Sequence, residues 1–114
     1  MPDTTIDINE ITVKKFVETL RPEDPKIRAE IDMGYSYDSK AIILFEIRPF
    51  WNDPNQIDHF QFAKIKRNKT KNKWTLYWMR ASGKWELYTP FPESTHLDEI
   101  LQTIKKDKNA CFFG

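Results

Sequence analysis

The chain has 114 residues, 39% hydrophobic, 14% aromatic and 31% charged, with a formal net charge of +1. That length suits a single domain and excludes two ordinary ones, and the persistent apolar patterning excludes a disordered polyelectrolyte. One cysteine excludes an internal disulfide, the two histidines match no zinc-ligand spacing, and no apolar run approaches the ~20 residues of a membrane span.

The N-terminus is acidic and polar, unlike a signal peptide, so the expected location is cytoplasmic. Asp7-Ile8-Asn9-Glu10 has capping-box spacing. Val13, Phe16, Val17 and Leu20 then fall at i, i+3, i+4 and i+7, which predicts a helix. Arg21-Pro22 stops it, because the residue before proline is pushed out of helical geometry. From Lys26 the period changes to two. Ile27, Ala29 and Ile31 point one way, and Arg28, Glu30 and Asp32 the other, predicting a first strand. Asp38-Ser39-Lys40 reads as a turn, and a second strand covers 41–48. Pro49 and Pro54 bracket an irregular segment that holds Trp51 and Asp53. Further strands are predicted at 59–67, 74–80 and 84–89, with Ala81-Ser82-Gly83 turning between the last two. Ser94 or Thr95 caps a closing helix that carries Leu97, Ile100, Leu101 and Ile104 on one face. Lys105, Lys106 and Lys108 sit at its C-terminal end, where the helix dipole favours cations. The expected fold class is α+β: an antiparallel sheet of about five strands with an N-terminal and a C-terminal helix packed on it.

Charge is unevenly spread. Residues 1–58 hold 12 acids and 7 basic groups, whereas 59–114 hold 5 acids and 11 basic groups. Between His59 and Trp85 there are eight basic residues and no acid. Six of the eight fall within 64–73.

Arg21-Pro22, Asp32-Met33-Gly34-Tyr35, Glu46-Ile47-Arg48-Pro49-Phe50-Trp51, Ala63-Lys64, Tyr77-Trp78-Met79-Arg80-Ala81, Trp85 and the terminal Cys111-Phe112-Phe113-Gly114 stand out as motifs. Together they resemble a family of short bacterial proteins carrying a domain of unknown function. The resemblance covers the chain from about the first helix to its last residue. It implies a free-standing, bacterial, cytosolic protein and supplies no activity to carry over. The lysine-rich loop is longer and more basic than that family pattern.

Four constellations carry candidate chemistry. Clustered cations beside aromatic rings are the ingredients of a nucleic-acid surface. Lys66, Arg67, Lys69, Lys71 and Lys73 are the candidate phosphate contacts, with Trp74, Tyr77 or Trp78 able to stack a base if a ring is exposed. The alternation of Trp74, Leu76 and Trp78 favours a buried strand, and a solvated loop leading into it is the plain alternative. Second, a hairpin loop of odd length would set Asp32 and Glu46 on one face, near Arg48 and Lys64. Such a group is similar to the metal site of restriction-type nucleases, where carboxylates hold Mg²⁺ and a lysine orients the attacking water. Arg48 departs from that pattern, since arginine cannot tune a water by losing its proton. Third, Arg48, Trp51 and Arg80 form a candidate partner surface. Fourth, Phe112 and Phe113 should dock on the sheet, leaving Cys111 as a small buried residue.

These readings lead to a non-catalytic binding module for an anionic partner, either nucleic acid or an acidic protein, with no cofactor and no membrane role. The alternative is a phosphodiesterase dependent on Mg²⁺ or Mn²⁺, using Asp32 and Glu46 with Arg48 or Lys64 assisting. A third is a protein-interaction domain or homodimer formed through an uncovered strand edge.

Overall fold

The computed structural model describes residues 7–38, 40–50 and 52–113. Asp7 caps the first helix, α1 (Ile8–Leu20), accepting from the Asn9 N–H at 2.9 Å. Val13, Phe16 and Val17 are buried along its inner face, as their spacing predicts. Pro22 ends it at Arg21, whose φ of −70° and ψ of 136° are extended.

The strand predicted from Lys26 does not form. Asp24 accepts from the Lys26 N–H, and Pro25 takes the first position of a single helical turn, α2 (Pro25–Arg28). A proline loses nothing there, because its N–H would have no partner. Ile27 is 48% exposed, so the alternation of Ile27, Ala29 and Ile31 buries no face. A local cap and a proline outweigh a short period-two pattern. The first strand, β1 (Asp32–Tyr37), starts later and packs Met33, Tyr35 and Tyr37 against the core.

The remaining strands are β2 (Ala41–Phe50), β3 (Asp53–Asn68), β4 (Lys73–Met79) and β5 (Trp85–Leu87), antiparallel in the order β1-β2-β3-β4-β5. A short sixth strand, β6 (Glu93–Ser94), pairs with β4. The fold is α+β. The segment around Pro49 and Pro54 is not irregular, as expected from the prolines, but a hairpin arm. β1 ends opposite Ile47, so beyond that point the outer edge of β2 has no β1 neighbour and tolerates a proline. Gly83 takes the positive φ of 84° that its turn requires.

The closing helix, α3 (Leu97–Lys106), begins after His96 rather than at Ser94 or Thr95. The Ser94 hydroxyl accepts from the His96 N–H and donates to Glu99, so it braces the approach to the helix. Leu97, Ile100, Leu101 and Ile104 are buried. They meet Val13, Phe16 and Val17 of α1 and Ile42, Leu44, Ile65 and Leu76 of the sheet in one core. Asp107 ends α3 in the left-handed region, and its carboxylate accepts from the Phe112 and Phe113 N–H groups at 3.0 and 2.8 Å. The tail is thereby folded back. Phe112 is buried against Tyr88, and Phe113 tilts against Phe62 while staying 38% exposed. Cys111 is partly buried, and burial pushes its thiol pKa up.

One irregularity decides which way β3 faces. Leu44 pairs with Ala63 but Phe45 pairs with Gln61, so Phe62 is an extra residue in a β-bulge. Phe62 and Ala63 are both buried. Below the bulge the alternation of β3 is therefore inverted. No helix among the described residues is long and apolar enough to cross a membrane.

Candidate functional site

The helices and the C-terminal tail pack on one side of the sheet, through the core residues of α1, α3 and the tail. The other side is left open. The strand register shows which residues stand on it. One row runs across all five main strands: Ser36, Ile43, Lys64, Tyr77 and Leu87. Beside it lies Ala41, Lys66 and Thr75. On the other flank, Gly34, Phe45 and Gln61 form a row, Ile47 and His59 a further one, and Met79 stands opposite Trp85. Two carboxylates stand at the margins of these rows, Asp32 opposite Ile47 and Glu93 opposite Thr75, and each is paired, Asp32 with Arg21 and Glu93 with Lys73.

The apolar members of the open face are neither buried nor free. Ile43, Phe45, Ile47, Tyr77, Met79 and Trp85 are all half-buried, and Leu87 is exposed. Gly34 explains how Phe45 lies. A Cβ on Gly34 would meet Cε1 of the Phe45 ring at 2.8 Å, so the ring rests on the glycine backbone. Phe45 also stacks on His59, with ring centroids 4.5 Å apart and planes 17° from parallel. The result is a layered support that presents an exposed imidazole on the open side.

At the β2–β3–β4 end of this face is a hollow of about 430 Å³, lined by Lys40, Lys66, Arg67, Asn68, Lys69, Thr75 and Tyr77. The five basic residues singled out in the sequence are spread over more than one setting. Lys66 and Lys69 line this hollow. Arg67 borders it, but its guanidinium lies over the buried Trp74 ring at 5.2 Å, towards the helix side. Lys73 reaches Glu93 at 3.0 Å. Lys71 is exposed in the turn beyond. Lys40, Gly34, Phe45, His59 and Trp85 were not candidates from sequence. The signal for them was the acid-free stretch between His59 and Trp85, which needed the strand register before it became a surface.

The acidic constellation is not assembled. Four residues, 38–41, separate the paired Tyr37 and Ile42, an even number. Asp32 therefore stands opposite Ile47, and Glu46 opposite Met33, so the two carboxylates point to opposite sides instead of sharing a face. Arg21 holds Asp32 with two hydrogen bonds, 2.9 and 3.0 Å. That pairing, helped by the Met33 N–H, keeps the Asp32 carboxyl below its usual pKa despite partial burial. Glu46 is paired with Arg48. Lys64 stands on the open face between Ile43 and Tyr77. Among the described residues, no group of three or more His, Cys, Asp or Glu side chains is placed to hold a metal ion. The proposed Arg48–Trp51–Arg80 surface is also divided. Arg80 lies 3.6 Å from Glu86, Arg48 is engaged by Glu46, and Trp51 lies outside the described residues.

The chain belongs to the family of the domain of unknown function DUF3024, whose model matches residues 1–114. Neither the curated proteins nor the solved structures contain a match to it.

Proposed function

We propose that this protein is a non-catalytic binding module whose open sheet face and adjoining basic rim hold an anionic partner, with nucleic acid as the partner class. The supporting observation is that Lys64 and Lys66 stand among half-buried rings in the middle of that face, while its two marginal carboxylates, Asp32 and Glu93, are each held by a basic side chain of their own. The centre of this face is apolar and aromatic with lysines beside the rings, which suits a partner offering negative charge and flat rings together. Lys40 and Lys69 extend the positive field to the hollow at the end of the face. A cytoplasmic setting is part of this proposal.

The metal-dependent phosphodiesterase draws no support from Asp32 and Glu46, which are paired to different arginines on opposite sides of the sheet.

The test is a fluorescence-anisotropy titration of the purified protein against labelled mixed-sequence DNA and RNA at 50 mM salt. Saturable binding that weakens as salt rises is expected. No anisotropy change with either nucleic acid at that salt would refute the proposal.

A further inference from the structure

We infer that the open face takes its nucleic acid as a single strand, with bases laid on Tyr77, Trp85 and His59 and phosphates running past Lys64 and Lys66 into the hollow lined by Lys40 and Lys69. This rests on the nucleic-acid reading above and narrows it.

The placement of the rings carries the inference. Trp85 stands opposite Met79, two residues along β4 from Tyr77. The two rings therefore spring from backbone positions about 8 Å apart, taking ~3.4 Å per residue along a strand and ~4.8 Å between strands. Stacked bases rise only about 3.4 Å per nucleotide. Two platforms at this spacing cannot both be served by neighbouring bases of an intact stack. They suit bases splayed apart, one to a ring, which an unpaired strand supplies and a duplex does not.

The third platform has its own support. His59 is exposed on the open side, and Phe45 lies parallel behind it at 4.5 Å, itself resting on Gly34. A stacked base would extend an existing pile of planes without reorganising it. Cations run beside the rings rather than at the tip alone. Lys64 is the direct cross-strand neighbour of Tyr77, and Lys66 of Thr75. A base on Tyr77 thus leaves its own phosphate within reach of Lys64 or Lys66, and the next can enter the hollow. A duplex presents phosphates but hides its base faces. It would use the lysines and leave three ring platforms idle.

The experiment compares five probes on the full-length chain by anisotropy competition at 50 mM salt. They are dT15, U15, a 15-base-pair duplex, an abasic 15-mer with the same phosphates, and poly-glutamate. The single strands are expected to bind at least tenfold more tightly than the duplex, the abasic strand or poly-glutamate. The ratio of dT15 to U15 reads the sugar and the thymine methyl together, and either direction supports the inference. Tyr77→Ala and Trp85→Ala should each weaken single-strand binding roughly 5- to 150-fold, with little change in duplex binding. Tyr77→Phe and Trp85→Phe keep a ring and should restore most of the loss, which separates stacking from misfolding. Duplex or abasic strand binding as tightly as dT15 would overturn the single-strand inference and leave the wider nucleic-acid reading standing. Absence of binding by every nucleic acid would overturn both. Displacement of dT15 by poly-glutamate at equal charge concentration would also overturn both, moving the partner to an acidic protein.

Discussion

Replacing Lys64 and Lys66 by glutamine tests whether the open face, and not the lysine-rich tip, provides the phosphate contacts. Both side chains keep their apolar stems, so the sheet packing is little disturbed. Four lysines border the proposed strand path: Lys40, Lys64, Lys66 and Lys69. For a single strand, each neutralised phosphate contributes about −0.7 to the slope of log K against log salt, so four give about −2.8. Between 50 and 200 mM salt the wild-type protein should then lose about 50-fold in affinity. With two lysines removed the slope should fall to about −1.4 and the loss over the same range to about 7-fold. Stacking on the rings is untouched, so the two proteins should converge when the lines are extrapolated to 1 M salt. The assay is anisotropy with labelled dT15 at several salt concentrations, with circular dichroism confirming the fold of each variant. A double variant that keeps the wild-type slope would refute the reasoning. So would a Lys71→Gln/Lys73→Gln protein whose slope falls further than that of the face variant, since it would locate the contacts at the tip.

Gly34→Ala should destabilise the protein by about 1–3 kcal/mol, because the new methyl forces the Phe45 ring off its place on β1. An unchanged denaturation midpoint would contradict the close approach. Leu76→Ala removes a fully buried side chain from the centre of the core and should cost about 2–5 kcal/mol in urea unfolding. Tyr37 donates to Asp7 at 2.6 Å, which lowers the Asp7 carboxyl pKa and, together with burial as the larger cause, pushes the Tyr37 hydroxyl up to about 12. For Asp7 the folded value is the lower one, so its stabilisation holds above the ordinary 3.8 and is lost as pH falls through the folded value. For Tyr37 the folded value is the higher one, so its stabilisation holds below 10.0 and is lost as pH rises towards about 12. Tyr37→Phe should therefore flatten the stability profile at both ends; a variant whose midpoint falls with pH as the wild type's does would rule the pairing out.

Much of this fold was readable from spacing alone. The i, i+3, i+4, i+7 pattern of Val13, Phe16, Val17 and Leu20 and that of Leu97, Ile100, Leu101 and Ile104 located both main helices, because a helix that must bury one stripe advertises its period. The alternation of Trp74, Leu76 and Trp78 located β4 and its inner face. The stretch from Lys26 misled because alternation over five residues is weak, whereas Asp24-Pro25 is a strong local start for a helical turn. The arm misled in the opposite direction. Pro49 looked like a strand end, yet a strand that has outrun its neighbour tolerates a proline at its edge.

The site was harder to read, because two small offsets decide which side of the sheet each residue faces. An even hairpin loop at 38–41 moved Asp32 and Glu46 onto opposite sides and dissolved the acidic cluster. The bulge at Phe62 acted in the constructive sense. Strict alternation back from Ile65 and Ala63 would have carried Gln61 and His59 into the core and thrown Phe62 and Phe60 outward. With one residue inserted, His59 reaches the open side, where Phe45 can support it, and Phe62 turns in to meet Phe113. The adjacent apolar pair Phe62-Ala63 is the only trace of this in the sequence, since two consecutive inward residues are what a bulge produces. The aromatic and cationic residues of the open face therefore come together through the bulge and the antiparallel register, and their distance from one another along the chain, from Gly34 to Leu87, hid them. A bulge that serves only to bend a strand would place no particular ring on the outer side. Here it places a histidine beside a phenylalanine that already has a glycine beneath it, and three residues from three strands agree on one stack.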